Sequence, residues 1–428
     1  MNEIALSPSI QNEAKERVRN LSEFQQYLSL AQSKTISELV DFLLATAVIL
    51  DVSDLHMEPE NEVTKIRLRI DGMLHDAGTI PPALYQEVLS RIKLLSHGIK
   101  LNVTDRPQDG RFSFALDKEH AIEARVSALP AEYGEAIVIR ILNPAHLVDL
   151  ENLGLRKDLL QMFKSEIGKP NGMIVVTGPT GCGKTTTLYA FLKALQKPEL
   201  KIITIEDPIE YHLNAISQTQ VNPAKGYDFA NGLQAIVRQD PDIIFVGEVR
   251  DNQTAEIALQ AALTGHLVFT TLHTNNAAGT IPRLLSLGAQ PSLIAPALTM
   301  AIAQRLVRRV CQQCKMLISP DQATRKQIED ALKKLNPNIR PKISSQWSIP
   351  QAKGCEQCNG TGYRGRIGIF EAFRIDEKME PFLAGSPSIG EIQRFTVRHG
   401  MIPMRQNGIM KVLEGITTME EVEREAPE

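Results

Sequence analysis

Four apolar, β-prone residues, Met173, Ile174, Val175 and Val176, run into the glycine-rich loop Gly178-Pro179-Thr180-Gly181-Cys182-Gly183, and Lys184-Thr185-Thr186-Thr187-Leu188 then reads as the first turns of a helix. The order strand, loop, helix fits the pattern G-x-x-x-x-G-K-[ST], with Gly178, Gly183, Lys184 and Thr185 at its fixed positions. Such glycines let the backbone curl so that consecutive N–H groups face inward and, with the helix N-terminus, form a cradle for phosphate oxygens. Lys184 is placed to reach the β- and γ-phosphates of a nucleotide such as ATP, and the Thr185 hydroxyl to ligate Mg²⁺.

The chain around this loop has 428 residues, too many for one core, which implies two or three domains. A net charge of −3 gives no global signal for nucleic acid or an anionic membrane. The apolar run from Phe42 to Leu50 is far shorter than the roughly 20 residues of a membrane helix, so a soluble, cytoplasmic protein is expected.

Residues 1–34 are polar and apolar-poor and read as a frayed helix or mobile arm. Thr35 or Ser37 is placed to cap a helix with Leu39, Leu43, Leu44 and Ala47 on one face. From Val63 the period changes to two: Ile66, Leu68 and Ile70 alternate with Lys65, Arg67 and Arg69, and Asp71-Gly72 turns toward a second strand. A helix over about 83–97 and three strands near 111–116, 121–129 and 135–142, separated by turns at 117–120 and 130–134, complete a small α+β domain over 35–145.

Beyond it, β-branched runs alternate with helical patterns over 146–300, which implies a parallel sheet whose ligand lies at the strand carboxyl ends. The loop, Glu206-Asp207, Glu248 and His273 all sit at or beyond such ends. Apolar residues 243–246 followed by Gly247-Glu248 form a strand that points a carboxylate at the phosphate; Glu248 is the candidate to orient or deprotonate the attacking water. Asp242, at that strand's opening end, reads as structural. Glu206, Asp207 and Glu210 form a second acidic cluster, useful beside a triphosphate if a cation or water lies between them, with a helix cap and solvated loop as the alternative. His273 is a candidate γ-phosphate sensor; His266, at the other flank of the same strand, is either a second such group or a satisfied core histidine.

Four of five cysteines fall as Cys311-x-x-Cys314 and Cys355-x-x-Cys358. Two such knuckles in a cytosolic chain are what a closed tetrahedral Zn²⁺ site requires. Disulfides are a poor competitor in a reducing compartment.

The boxes GPTGCGKTTT (178–187), ITIEDPIE (203–210), RQDPDIIFVGEVRD (238–251) and TGHLVFTTLHTN (264–275) together resemble those of the secretion ATPase superfamily, the type II/IV secretion system protein E family. SDLHMEP (53–59), RLRIDG (67–72), RPQDGRF (106–112) and RVSALPAEYGE (125–135) are similar to that family's N-terminal domain. The resemblance implies a RecA-like P-loop ATPase core behind a small PAS-like α+β domain, followed by a tetracysteine zinc subdomain (301–370) and C-terminal helices (371–428). It further implies a cytoplasmic homo-hexamer at the inner membrane that hydrolyses ATP to power assembly of a type IV pilus or type II secretion pseudopilus. Docking on an inner-membrane platform protein would then be its only membrane association. By the same resemblance Arg111 and Arg125 are candidates to contact phosphates across domains or subunits, a surface salt bridge being the alternative. The tetracysteine insert favours assembly ATPases over retraction ATPases.

Cys182 departs from the serine usual in this loop, and a thiol at a helix N-terminus beside Lys184 is expected to have a lowered pKa and to react first with alkylating reagents, unless it is packed under the loop. A DNA-transport or conjugation ATPase would share the nucleotide boxes, but no stretch mixes basic and aromatic residues densely, so no nucleic acid is expected. A nucleotide-gated scaffold without turnover is disfavoured by the presence of Glu248.

Overall fold

A computed structural model describes residues 3–116, 121–335, 337, 339–341 and 347–427, so the expected turn at 117–120 lies outside the described residues. The chain divides into two compact units: 1–146 with 311–315 and 352–365, and 147–310 with 316–351 and 366–428.

In the first unit, β1 (Glu3–Ala5), α1 (Pro8–Arg17) and α2 (Leu21–Ala31) precede α3 (Ile36–Ile49), which Thr35 and Glu38 start with a capping box. β2 (Val52–Pro59), β3 (Thr64–Ile70), β4 (Met73–Ile80), α4 (Pro82–Leu95), β5 (Gln108–Ala115), β6 (Ala121–Ala131) and β7 (Gly134–Leu142) follow. The seven strands form one sheet in the order β1-β5-β6-β7-β2-β3-β4. Period-two patterning decides its faces: Ile66, Leu68 and Ile70 turn into the core, and Lys65, Arg67 and Arg69 turn away.

The expectation of a frayed or mobile arm over 1–34 is corrected. β1 adds a parallel strand to β5, and Ile10, Ala14 and Val18, then Phe24, Tyr27, Leu28 and Ala31, are buried in the same core as α3. Sparse apolar residues suffice because they recur at helical spacing; Phe24 stacks on Phe42 of α3 with ring centroids 5.6 Å apart.

The second unit holds α5 (Lys157–Ile167), β8 (Gly172–Thr177), α6 (Lys184–Leu195), β9 (Ile202–Glu206), β10 (Ser217–Gln220), α7 (Phe229–Val237), β11 (Ile243–Val246), α8 (Asn252–Leu263) and β12 (Leu267–Leu272). Then come α9 (Thr280–Ser286), α10 (Pro291–Ala297), β13 (Leu298–Val310), β14 (Met316–Ile318), α11 (Gln322–Lys333) and β15 (Ile349–Gln351). β16 (Tyr363–Arg374), α12 (Met379–Ala384), α13 (Ile389–Arg398), α14 (Met404–Leu413) and α15 (Met419–Glu425) end the chain. The main sheet runs β10-β9-β11-β12-β8-β13-β16, and its first six strands are parallel. β8, β11 and β12 are buried along their whole length, which explains their unbroken apolar runs.

Residues 301–370 do not form one separate body as the sequence suggested. Residues 301–310 are the last ten residues of β13, which pairs with β8 through Ala303, the two cysteine knuckles group with the first unit, and 316–351 group with the second. Among the described residues, no helix is long and apolar enough to cross a membrane.

Packing of the N-terminal helices is testable. Phe24 is 1% exposed, so Phe24→Ala should destabilise the first unit by about 3–5 kcal/mol; denaturant unfolding that shifts no more than for a surface substitution such as Gln25→Ala would show that these helices do not belong to the core.

Candidate functional site at the strand carboxyl ends

β8 lies between β12 and β13, with Thr177 aligned to Leu272 and to Ala303. The register brings three segments to one edge of the sheet: the loop after β8, the stretch after β12, and the outer half of β13. Gly178 and Gly183 have φ of +150° and +90°. An added Cβ at Gly178 would lie 2.5 Å from Cys182 Sγ and 2.7 Å from the Gln304 carbonyl oxygen, and one at Gly183 would lie 2.8 Å from Gln304 Nε2. Both positions therefore exclude a side chain on sterics as well as on backbone conformation.

α6 starts at Lys184, whose Nζ donates to the carbonyls of Gly178 at 2.8 Å and Pro179 at 3.0 Å. Burial lowers its pKa, while Cys182, Glu248 and Glu210 pull it back. Gly178–Gly183, Lys184, and the half-buried Thr185 and Thr186 form a concave turn at a twelve-residue helix N-terminus, with the chemistry to hold a phosphate chain.

Glu248 follows β11 and Gly247; Thr271 Oγ1 donates to the Gly247 carbonyl at 2.7 Å, which fixes the exit of that strand. The Glu248 carboxylate is 12% exposed and sits 2.5 Å from Arg250 Nη2 and 3.6 Å from His273 Nε2. Burial, then the neighbouring Lys184, lowers the His273 pKa below its ordinary 6.5, so the ring is mainly neutral at pH 7 despite the pull of Glu248.

Two sequence assignments are corrected by position. His266 precedes β12, its carbonyl accepts the Gly172 N–H at 3.1 Å, and its Nδ1 faces the Ala261 carbonyl at 3.0 Å. It therefore lies at the opening end of β8, about 20 Å of strand from the loop. Glu206 is at a carboxyl end but is 3% exposed, and its carboxylate accepts from Tyr189 Oη, from Thr204 Oγ1 at 2.6 Å and from Gln218 Nε2 at 3.1 Å. Burial raises its pKa against those three bonds. It ties α6 to β9 and β10, which makes it a positioning group.

Asp207 is exposed, next to a cis Asp207-Pro208 bond. Glu210 lies within electrostatic reach of both Glu206 and Lys184. Asp242, as expected, is structural: Oδ2 accepts the Lys201 N–H at 2.7 Å.

Arg111 and Arg125 lie in the first unit. They face each other across β5 and β6, Arg140 of β7 is next in the same row, and Arg125 Nε is 3.6 Å from Glu123.

Sequence reading missed Gln304, Arg305 and Glu371. Gln304, 2% exposed, accepts from Thr187 Oγ1 at 2.6 Å and so braces α6 from below. Glu371 Oε1 and Oε2 accept the N–H groups of Ala277 at 2.8 Å and Met404 at 3.0 Å. The rule that flagged Glu206 and Glu248, polar residues where a buried apolar strand meets the edge, applies equally to Gln304-Arg305.

The four cysteine sulfurs lie within 4.8 Å of one another, with Cys311–Cys355 at 3.9 Å, Cys314–Cys358 at 3.8 Å and Cys355–Cys358 at 3.7 Å. Four sulfurs each about 2.3 Å from one ion would be about 3.8 Å apart, so the cluster fits a tetrahedral metal. Cys358 Sγ also accepts the N–H groups of Cys355 and Gly362, both at 3.1 Å, as a thiolate ligand does. The knuckles are fastened within their unit: Asn359 Oδ1 accepts the Leu21 N–H at 2.6 Å, and Gly365 N–H donates to Asp71 Oδ2 at 2.8 Å.

A parallel sheet carrying a phosphate loop, a strand-end carboxylate and a facing histidine defines a P-loop nucleotide-binding fold. A family profile described as "Type II/IV secretion system protein" matches residues 29–424, and the chain belongs to that family. It is 42% identical over 388 residues to the type IV pilus assembly ATPase PilB of Thermus thermophilus, covering 90% of this chain and 42% of the relative. It is also 42% identical over 392 residues to type II secretion system protein E of Pseudomonas aeruginosa, covering 91% and 75%. It spans 66% of the Acinetobacter baylyi pilus assembly ATPase TfpB, again at 42% identity over 93% of this chain. The crystal structure of the pilus retraction motor PilT with bound ADP is similar at a TM-score of 0.58 and 26% identity, covering 90% of this chain and 96% of that one.

The structure reverses the expectation for Cys182. Its side chain is packed under the loop, 4% exposed, and burial raises its pKa while Lys184 and Arg305 offset that only in part. Brief iodoacetamide treatment at pH 7 should leave Cys182 unmodified by peptide mass spectrometry, with labelling appearing only in the alkaline range; labelling at pH 7 as fast as a free thiol would contradict the packed position.

Proposed function

We propose that the chain hydrolyses ATP and, as a homo-hexamer at the cytoplasmic face of the inner membrane, powers assembly of a type IV pilus or type II secretion pseudopilus through a platform protein. The observation that carries the hydrolytic reading is Glu248, a mostly buried carboxylate held between Arg250 and His273 and within electrostatic reach of Lys184. The mechanical reading rests on relatives named as pilus assembly and type II secretion ATPases. A DNA-transport role has no comparable observation in its favour, and turnover should be indifferent to added DNA.

In this reading the N–H groups of 180–185 and Lys184 would bind the triphosphate, and Thr185, with the Asp207 and Glu210 segment, would hold Mg²⁺ or its water shell. Bound Mg²⁺ would neutralise charge on the phosphates. Glu248 accepts a proton from the attacking water, and Arg250 pairs with its carboxylate. His273, neutral and hydrogen-bonding, orients against the transferring phosphate. Arg111 and Arg125 would add charge to the same phosphates through their planar forks.

Lys184→Ala should lose binding of a fluorescent ATP analogue, whereas Glu248→Gln should keep its Kd and lose about 10²- to 10⁴-fold in kcat. Arg125→Ala belongs with the second class, near-normal binding with poor turnover. Undiminished hydrolysis in Glu248→Gln would refute the assignment of the water-activating group.

The four cysteines support Zn²⁺ at the knuckles, in a structural role because four thiolates would close its coordination sphere. Metal analysis should find one zinc per chain, absent from Cys311→Ser, and its loss should speed hydrogen exchange at the start of α2 through Asn359 and Leu21. Protein purified without chelators that contains no zinc would overturn this.

A further inference from the structure

His273 belongs to a short stretch, 272–277, that leaves β12 with no helix or strand of its own until the turn at Ala277. Something must hold that stretch at a fixed reach from the phosphate loop, because a group that acts on a phosphate is effective only within a narrow range of distance and angle. Its backbone has three anchors. Thr177 Oγ1, at the end of β8, donates to the Leu272 carbonyl at 3.0 Å and accepts the Thr274 N–H at 2.8 Å. Glu371 takes the Ala277 N–H at the far end.

Between these two, Arg305 of β13 reaches over the strand ends. Its Nη1 donates to the Gln304 carbonyl at 2.9 Å and its Nη2 to the Asn275 carbonyl at 3.0 Å. A Cβ on Gly178 would lie 3.1 Å from Nη1, so the guanidinium packs directly on the first residue of the phosphate loop. One planar group thus touches the loop on one side and ties down the histidine stretch on the other. Lysine, a compact ammonium on a flexible stem, lacks the planar fork that here meets the two carbonyls from separate nitrogens.

We propose that Arg305 is a positioning residue of the nucleotide site: by bridging the Gln304 and Asn275 carbonyls against Gly178, it sets the distance from His273 to the phosphate loop. The inference rests on the ATP-hydrolysis reading above. Arg305 anchors a backbone segment and contributes none of the loop's own N–H donors, so its loss should spare affinity and cost turnover. Its charge also acts on Lys184, Cys182 and Glu371, which places it at the centre of the loop's surroundings.

The test compares wild type, Arg305→Gln and Arg305→Lys by fluorescent-ATP binding, steady-state ATPase kinetics and hydrogen exchange. Both variants should bind nucleotide with a Kd within about threefold of wild type and lose about 10- to 100-fold in kcat. Exchange should accelerate in peptides over 272–277 while α6 (184–195) keeps its protection, which separates a loosened anchor from general unfolding; a variant that unfolds would lose protection in both. Arg305→Lys should be no better than partly rescued. Wild-type turnover in Arg305→Gln, an equal loss of affinity and turnover, or unchanged exchange over 272–277 would overturn the inference while leaving the ATPase reading intact. Absence of nucleotide binding and hydrolysis in the wild type would overturn both.

Discussion

The pairing of β8 with β12 on one side and β13 on the other is the constraint on which the nucleotide site depends. Parallel neighbours in register end at the same edge, so a loop that follows β8 is delivered between whatever follows β12 and whatever continues β13. The strand is buried along its length and cannot shift by one residue without turning its inward side chains to the opposite face. Thr177 then locks the edge by bonding Leu272 and Thr274. From this register come both the reach of His273 toward Glu248 and the close approach of Gln304 that makes Gly178 and Gly183 obligatory.

Three buried or half-buried carboxylates near that edge illustrate how environment divides labour among identical groups. Glu371 and Glu206 are each 3% exposed and surrounded by donors, and burial raises the pKa of both. A carboxylate whose oxygens are already engaged by Tyr189, Thr204 and Gln218, or by two backbone N–H groups, is poorly placed to accept a proton from water. Glu248 differs because its partners are cationic or titratable side chains with exposed faces, Arg250 at 67% and His273 at 51%. The proton-accepting role proposed for Glu248 rests on that access to water.

Much of this was legible in the sequence where a local pattern carries the physics. The strand, loop and helix at 173–188, the alternation at 65–70 and the cysteine spacings each encode their geometry within a few residues. What was not legible depended on long-range pairing. Glu206 and Glu248 both end apolar runs, and nothing in either run shows that Tyr189 and Gln218 close over one of them. His266 and His273 flank the same strand, and only the strand's direction places one of them at the wrong edge. The arm before Thr35 looked too polar to fold because its few apolar residues were counted, whereas their spacing on α1 and α2 is what buries them. Gln304 and Arg305 lay in a run assigned to a metal subdomain that β13 cuts through.

The metal knuckles show why a site with no chemistry of its own belongs in such a chain. Forty residues separate Cys314 from Cys355, and closing a loop of that length costs about 3 kcal/mol of chain entropy before any contact is made. Part of it is offset within the loop itself, where β14 pairs with β15 and Ile328, Ala331, Leu332 and Ile349 are buried in one cluster. Four thiolates on one ion would add to that at the cysteines themselves. The knuckles present Asn359 and Gly365 to Leu21 and Asp71, so an ion bound there would act through two hydrogen bonds on the start of α2 and on the β3–β4 turn. A metal at the knuckles would thereby be coupled to the order of the first thirty residues within one unit.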